Sequence, residues 1–176
     1  MKHINWNEVE EVSMDYKKLV AGGYVCIITN VEDVPKKEYL KIEYDIAKGE
    51  FENHFQKLFE AKEFWGGKFI KSYKDGKAQS FFKAFLTALN RSNGGFIYNN
   101  DEKALVGKLV GLVLAEEEYI KNDQTIGTRL FVHSIRSIEQ INAGEFNIPE
   151  IKRIEPQSNT QNPFGGQVLP NEDIPW

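Results

Sequence analysis

The chain has 176 residues, 41% of them hydrophobic and carrying a net charge of −4, enough for one domain that builds its own core. A single cysteine, Cys26, excludes an internal disulfide, and with His3, His54 and His133 far apart no zinc-ligand spacing exists. The longest apolar stretch, 104–115, is interrupted by Lys108 and too short to span a bilayer; Met1 to Lys18 is charged throughout, with no signal-peptide core. A soluble, cytoplasmic protein with no membrane partner is the expectation.

Residues 1–21 read as an acidic lead-in. Gly22-Gly23 then opens a dense apolar run, Tyr24 to Val31, of the kind that is buried on both faces as a strand. Cys26 sits inside it, as a small buried hydrophobe. Val34-Pro35-Lys36-Lys37 forms a turn. The clearest alternation in the chain follows, with Leu40, Ile42, Tyr44 and Ile46 on one face and Lys41, Glu43 and Asp45 on the other. These two segments form a hairpin.

Phe51, Phe55, Leu58 and Phe59 recur at helical spacing, which predicts a short helix over 52–63 that Trp65-Gly66-Gly67 ends. Lys68 to Tyr73 alternates again, up to a turn at Asp75-Gly76. Phe81, Phe82, Phe85, Leu86 and Leu89 predict a stronger amphipathic helix at 78–91, stopped by Asn93-Gly94-Gly95. Two further strands are expected at 105–115 and 128–135. Ser137 with Gln140 matches a capping box and starts a short final helix.

The predicted order is three strands, a helix and two strands, with helix 52–63 inserted between the second and third strands. That is the order of an OB-fold barrel, mainly β with helices (α+β), occupying 22–154. From Glu155 onward Pro, Gln, Asn, Ser, Thr and Gly dominate, so 155–176 is expected to be a disordered tail.

The acidity of the whole is unevenly spread. The tail holds Glu155, Glu172 and Asp173 and no Lys or Arg, leaving the body near neutral. Within the body, Lys62, Lys68, Lys71, Lys74, Lys77 and Lys83 face only Glu63 and Asp75, a local charge of +4. Local charge is what attracts a phosphate backbone.

Alternation places Trp65, Phe69, Lys71 and Tyr73 on one side of the third strand, flanked by Lys68 and Lys74. Interleaved rings and cations are what sequence-independent binding of a single strand requires: rings stack on bases, and cations meet phosphates. Packing of Phe69 and Tyr73 into the barrel interior is the competing reading. Arg129, Phe131 and His133 alternate on the fifth strand and either extend the same surface or form a plain solvated face. Glu116-Glu117-Glu118 with Asp123 is the one acidic cluster that a metal-dependent nuclease would use. Consecutive strand residues point to opposite faces, so a solvated strand end fits better. Phosphate-binding glycine motifs and nucleophile elbows are absent from the sequence, and neither a catalytic role nor a cofactor or metal is expected.

The chain ends Pro170-Asn171-Glu172-Asp173-Ile174-Pro175-Trp176. Ile174 and Trp176 are apolar anchors, Pro175 stiffens the peptide, and Glu172, Asp173 and the terminal carboxylate offer charge to a basic partner. This tip resembles that of bacterial single-stranded DNA-binding proteins, with Trp176 in place of their Phe and only two acids before Ile174. Gly23-Tyr24-Val25, Ile42 to Glu50, Phe81 to Ala88 and Glu116-Glu117-Glu118-Tyr119 carry a second resemblance. Through them 22–154 is similar to a family of single-stranded DNA-binding proteins encoded by phages and prophages of low-GC Gram-positive bacteria.

The resemblance implies a non-catalytic protein that coats single-stranded DNA in replication, recombination or repair. It also implies recruitment of partner proteins through the tip, and such proteins often form homo-oligomers. Two rivals remain: an adaptor whose barrel binds protein, and a nuclease using Glu116, Glu118 and Asp123.

Overall fold

The computed structural model describes residues 2–5, 9 and 17–154. The expectations for most of the lead-in and for the tail, including Glu172, Asp173, Ile174, Pro175 and Trp176, lie outside the described residues.

The first strand, β1 (Gly22–Val34), is long because it is apolar on both faces: Val25, Cys26 and Ile28 are all buried. A 3-10 turn at Pro35–Lys37, with Glu38 in the left-handed region at φ 55°, returns the chain into β2 (Tyr39–Ile46). The two pair antiparallel, Ile28 opposite Tyr44 and Asp33 opposite Leu40. The alternation in β2 does what its pattern predicts, since Leu40, Ile42, Tyr44 and Ile46 all enter the core.

The first helix, α1 (His54–Lys62), starts without a side-chain cap of its own, because Asn53 at its N-cap holds φ 57° and makes no cap bond. The missing acceptor comes from β2 instead. Asp45 is buried, and its carboxylate accepts from the backbone N–H groups of Ile46 (2.8 Å), Phe55 (2.9 Å) and Gln56 (2.9 Å). A carboxylate at this end also suits the helix dipole. Phe55 then packs edge-on against Tyr44 at 5.3 Å between centroids.

The turn out of α1 needs a glycine at position 67. Tyr44 N–H donates to the Gly67 carbonyl at 2.8 Å, and any Cβ there would collide with the Tyr44 carbonyl oxygen and the Phe55 ring. The chain can therefore lie flat against β2 as it enters β3 (Lys68–Ser72), which pairs antiparallel with β2.

The second helix, α2 (Lys77–Ser92), buries Phe82, Phe85, Ala88 and Leu89, a helical stripe laid over the core. Asn93 ends it, and its amide reaches across to the sheet: Nδ2 donates to the carbonyls of Leu89 and Leu109, and Oδ1 accepts from Leu109 N–H. The next strand begins later than its apolar run predicts. Leu105 belongs to a 3-10 turn (Glu102–Leu105), and β4 spans Leu109–Ile120. Its acidic end stays extended because β5 (Ile126–Arg136) pairs along it to the hairpin tip, while Lys152 bridges to Glu117 on the other side. Tertiary pairing outweighs composition here. The final helix, α3 (Ile138–Asn142), has the predicted Ser137–Gln140 capping box.

Among the described residues the result is an α+β fold with one five-stranded antiparallel sheet in the order β3-β2-β1-β4-β5 and three helices. This order is consistent with an OB-like fold. The sheet is open: β3 and β5 are its two ends, and among the described residues no ladder joins them to close a barrel. The main core lies between the sheet and α2. A smaller one lies on the opposite face, where Val25, Val113 and Ala115 are buried although they point away from the main cluster. Phe146 seats its ring on Gly23, and Ile141 of α3 seats on Gly111, places where a larger residue would clash.

Cys26 is fully buried, and burial pushes its thiol pKa far above the ordinary range. The native protein is expected to resist thiol reagents, with Cys26 labelling only as the protein unfolds in urea. Rapid stoichiometric labelling of the native protein would contradict this placement of β1.

Candidate nucleic-acid interface

The gap between the two ends of the sheet is a cleft of about 520 Å³. One wall is α1 with the start of β3, the other is β5, and Lys17-Lys18-Leu19 forms the rim. Leu19 anchors that rim by burying its side chain in the main core, and Lys17 pairs with Glu50. Among the described residues five cations line the cleft (Lys17, Lys18, Lys62, Lys68 and Arg129), with Glu116 as the one carboxylate. Arg129 is held by Glu117 at 2.7 Å and lies 5.2 Å over the Tyr119 ring, yet its side chain remains largely exposed.

Two rings open onto the same cleft. Phe64 is 59% exposed, and Phe131, partly exposed, packs edge-on against His133 at 6.2 Å. His54 also lines it, beside Phe51 and Phe55, and burial lowers its pKa below the usual imidazole value. Cations, open rings and an apolar floor of Phe55, Leu58 and Leu130 in one groove can take stacked bases and a phosphate backbone together.

The structure divides the residues expected from sequence. Lys68, Arg129 and Phe131 come together in this cleft, although more than sixty positions of sequence separate Lys68 from Arg129. Trp65 packs against the core instead, between Phe55 and Phe59, and its Nε1 donates to the Gly67 carbonyl at 3.0 Å. Phe69 lies opposite Ile42 and meets Tyr44 and Phe85, so it too faces the core.

Tyr73 packs against Phe82 and donates its hydroxyl to Asp33 at 2.8 Å, a bond that pushes its pKa up to about 12. Lys71 is on this inner face as well, with its ammonium 5.9 Å from the Phe81 ring and its pKa lowered by burial. Lys74 stands at the far end of β3, beside the β1–β2 turn. The inner face of β3 is thus covered by α2, and the interleaved set does not form one open surface.

Phe64 is the ring that reading by alternation passes over. Phe64 lies before β3 in a stretch of irregular backbone, where alternation does not apply, and only the packing of Trp65 against the core leaves Phe64 as the open ring. Lys17 and Lys18 could not be found that way either, because nothing local says that the lead-in returns to the rim.

The acidic run does not converge on one point. Glu117 pairs with Arg129, Glu118 accepts from Ile154 N–H at 3.0 Å, and Glu116 faces the cleft. Among the described residues no group of three His, Cys, Asp or Glu is placed to hold a metal ion. No helix of the described residues is long and apolar enough to cross a membrane. No family model matches this chain, and no curated protein matches it.

Proposed function

We propose that this protein binds single-stranded DNA without catalysis, in phage replication or recombination, and holds the strand in the cleft between β3 and β5. The observation that carries the reading is the composition of that cleft: among the described residues five cations line it, two of them paired to Glu50 and Glu117, together with two open aromatic rings and the carboxylate of Glu116. Lys68 and Arg129 on opposite walls meet phosphates, while Phe64 and Phe131 stack bases. The tip Glu172 to Trp176 recruits replication or recombination proteins by the anchor-and-charge logic of its sequence. No cofactor takes part.

The test is titration with a poly-thymidine oligonucleotide, following tryptophan emission at two salt concentrations, for the full chain and for a form ending at Glu155. Tight binding is expected in both forms, weakening with salt by about 0.7 log units per contacted phosphate per log unit of salt. Absence of binding in both forms would defeat the proposal and favour the reading as a protein-binding adaptor. Binding that disappears with the tail would remove the site from the cleft.

A further inference from the structure

The outward face of β3 serves two hollows. Lys68, at its start, belongs to the cleft; Ile70 and Ser72, next on the same face, line a second hollow of about 400 Å³ at the other end of the strand. Strand rise puts Lys68 and Ser72 about 13 Å apart. The β1–β2 turn builds this second hollow, and it is tied down onto β3: the Glu38 carbonyl accepts from Tyr73 N–H at 2.9 Å and from the Ser72 hydroxyl at 3.2 Å.

Three lysines, Lys36 and Lys37 from the turn and Lys74 from beyond β3, surround Tyr39 and Ile70, with Glu38 the single acid of the lining among the described residues. Ile70 is 56% exposed in the middle of its strand. Among the described residues none of the three lysines makes an ion pair, in contrast to Lys41 nearby, which pairs with Glu32 at 3.2 Å.

We propose that this hollow is a second subsite for the same DNA strand. Lys36, Lys37 and Lys74 take phosphates, Tyr39 and Ile70 take the apolar face of a base or sugar, and the Lys68–Ile70–Ser72 face of β3 is the track that joins the subsite to the cleft. Lysines on flexible stems suit this role, since they follow a backbone as point charges without demanding one sequence. The inference rests on the reading of the cleft as a DNA site and extends its footprint along the sheet.

The test compares the full chain with its K36Q/K37Q/K74Q variant on thymidine oligonucleotides graded over about 4–16 nucleotides, the span one OB-type domain covers. The three lysines lie at a turn and a strand end, and an unchanged thermal melt verifies the fold. The variant is expected to hold the shortest oligonucleotides as wild type does. On the longest it should bind at least about tenfold more weakly, with the log–log salt slope smaller by about 2.

Equal affinity and slope for the longest oligonucleotide would overturn the second subsite and leave the cleft standing. An equal loss at every length would also overturn it, by showing one undivided site. Binding of poly-glutamate through these lysines, with oligonucleotide affinity unchanged, would assign the hollow to an acidic protein partner. If wild type binds no oligonucleotide at all, the DNA-binding reading itself fails, and the subsite with it.

Discussion

Asp45→Ala is expected to destabilise the fold by about 3–5 kcal/mol, a large part of the total stability of a domain this size. Asp45 is 3% exposed and satisfies three backbone donors. Two of these belong to the first turn of α1, whose own N-cap residue provides no acceptor. Truncation leaves those N–H groups without a partner in a site that water does not reach freely, and such groups cost roughly 1–3 kcal/mol each. It also removes the negative charge from the positive end of the helix. Asp45→Asn should cost less, on the order of 2 kcal/mol, because Oδ1 can keep Ile46 and Phe55 while the amide NH₂ faces Gln56 N–H. Urea unfolding measures both, read as a shift in midpoint at constant slope. An alanine variant within about 1 kcal/mol of wild type would mean that Asp45 does not hold α1 to the sheet.

The second large effect separates two adjacent rings. Phe64→Ala is expected to weaken oligonucleotide binding by roughly 1–3 kcal/mol, about 5- to 150-fold, with the melting temperature unchanged. Trp65→Ala should do the opposite and cost about 2–3 kcal/mol of stability, because that indole fills space beside Phe55 and gives the Gly67 carbonyl a second donor besides Tyr44 N–H. The physical distinction is which way each ring points from the same stretch of chain. Phe64 opens onto the cations of the cleft, and Trp65 turns under α1. The reverse pattern, with stability lost at Phe64 and binding lost at Trp65, would show that the strand lies on the other side of β3.

Most elements were legible because the signals are local. The alternation of Leu40 to Ile46 is a period-2 pattern that any sheet needs, and the stripe of Phe82, Phe85 and Leu89 is a helical one. Ser137 and Gln140 announce a cap at short range, and the structure has that cap. Local signals are weaker where pairing decides the outcome. Leu105 looks like the start of a strand by hydrophobicity, but the strand begins at Leu109, where Asn93 ties β4 to α2. Glu116 to Tyr119 is polar or amphipathic, yet it is extended because β5 and Lys152 pair along both of its sides. Asp45 looks like one more outward-facing polar residue of an alternating strand, and only the arrival of α1 makes it a buried cap.

The sequence by itself determined the order of the elements, the faces within each strand and helix, the local excess of lysine around β3 and the chemistry of the terminal tip, since all of these depend on residues close together along the chain. Tertiary structure alone decided which face of β3 is covered. Alternation separates Phe69, Lys71 and Tyr73 from Lys68, Ile70 and Ser72, but it carries no information on which set α2 will lie against. Packing against Phe82 and Phe85 takes the rings inward and leaves the other face open. The cleft is decided at the same level: Lys17, Phe64 and Arg129 meet only because the open sheet brings its two ends around α1 and the buried Leu19 holds the lead-in at the rim.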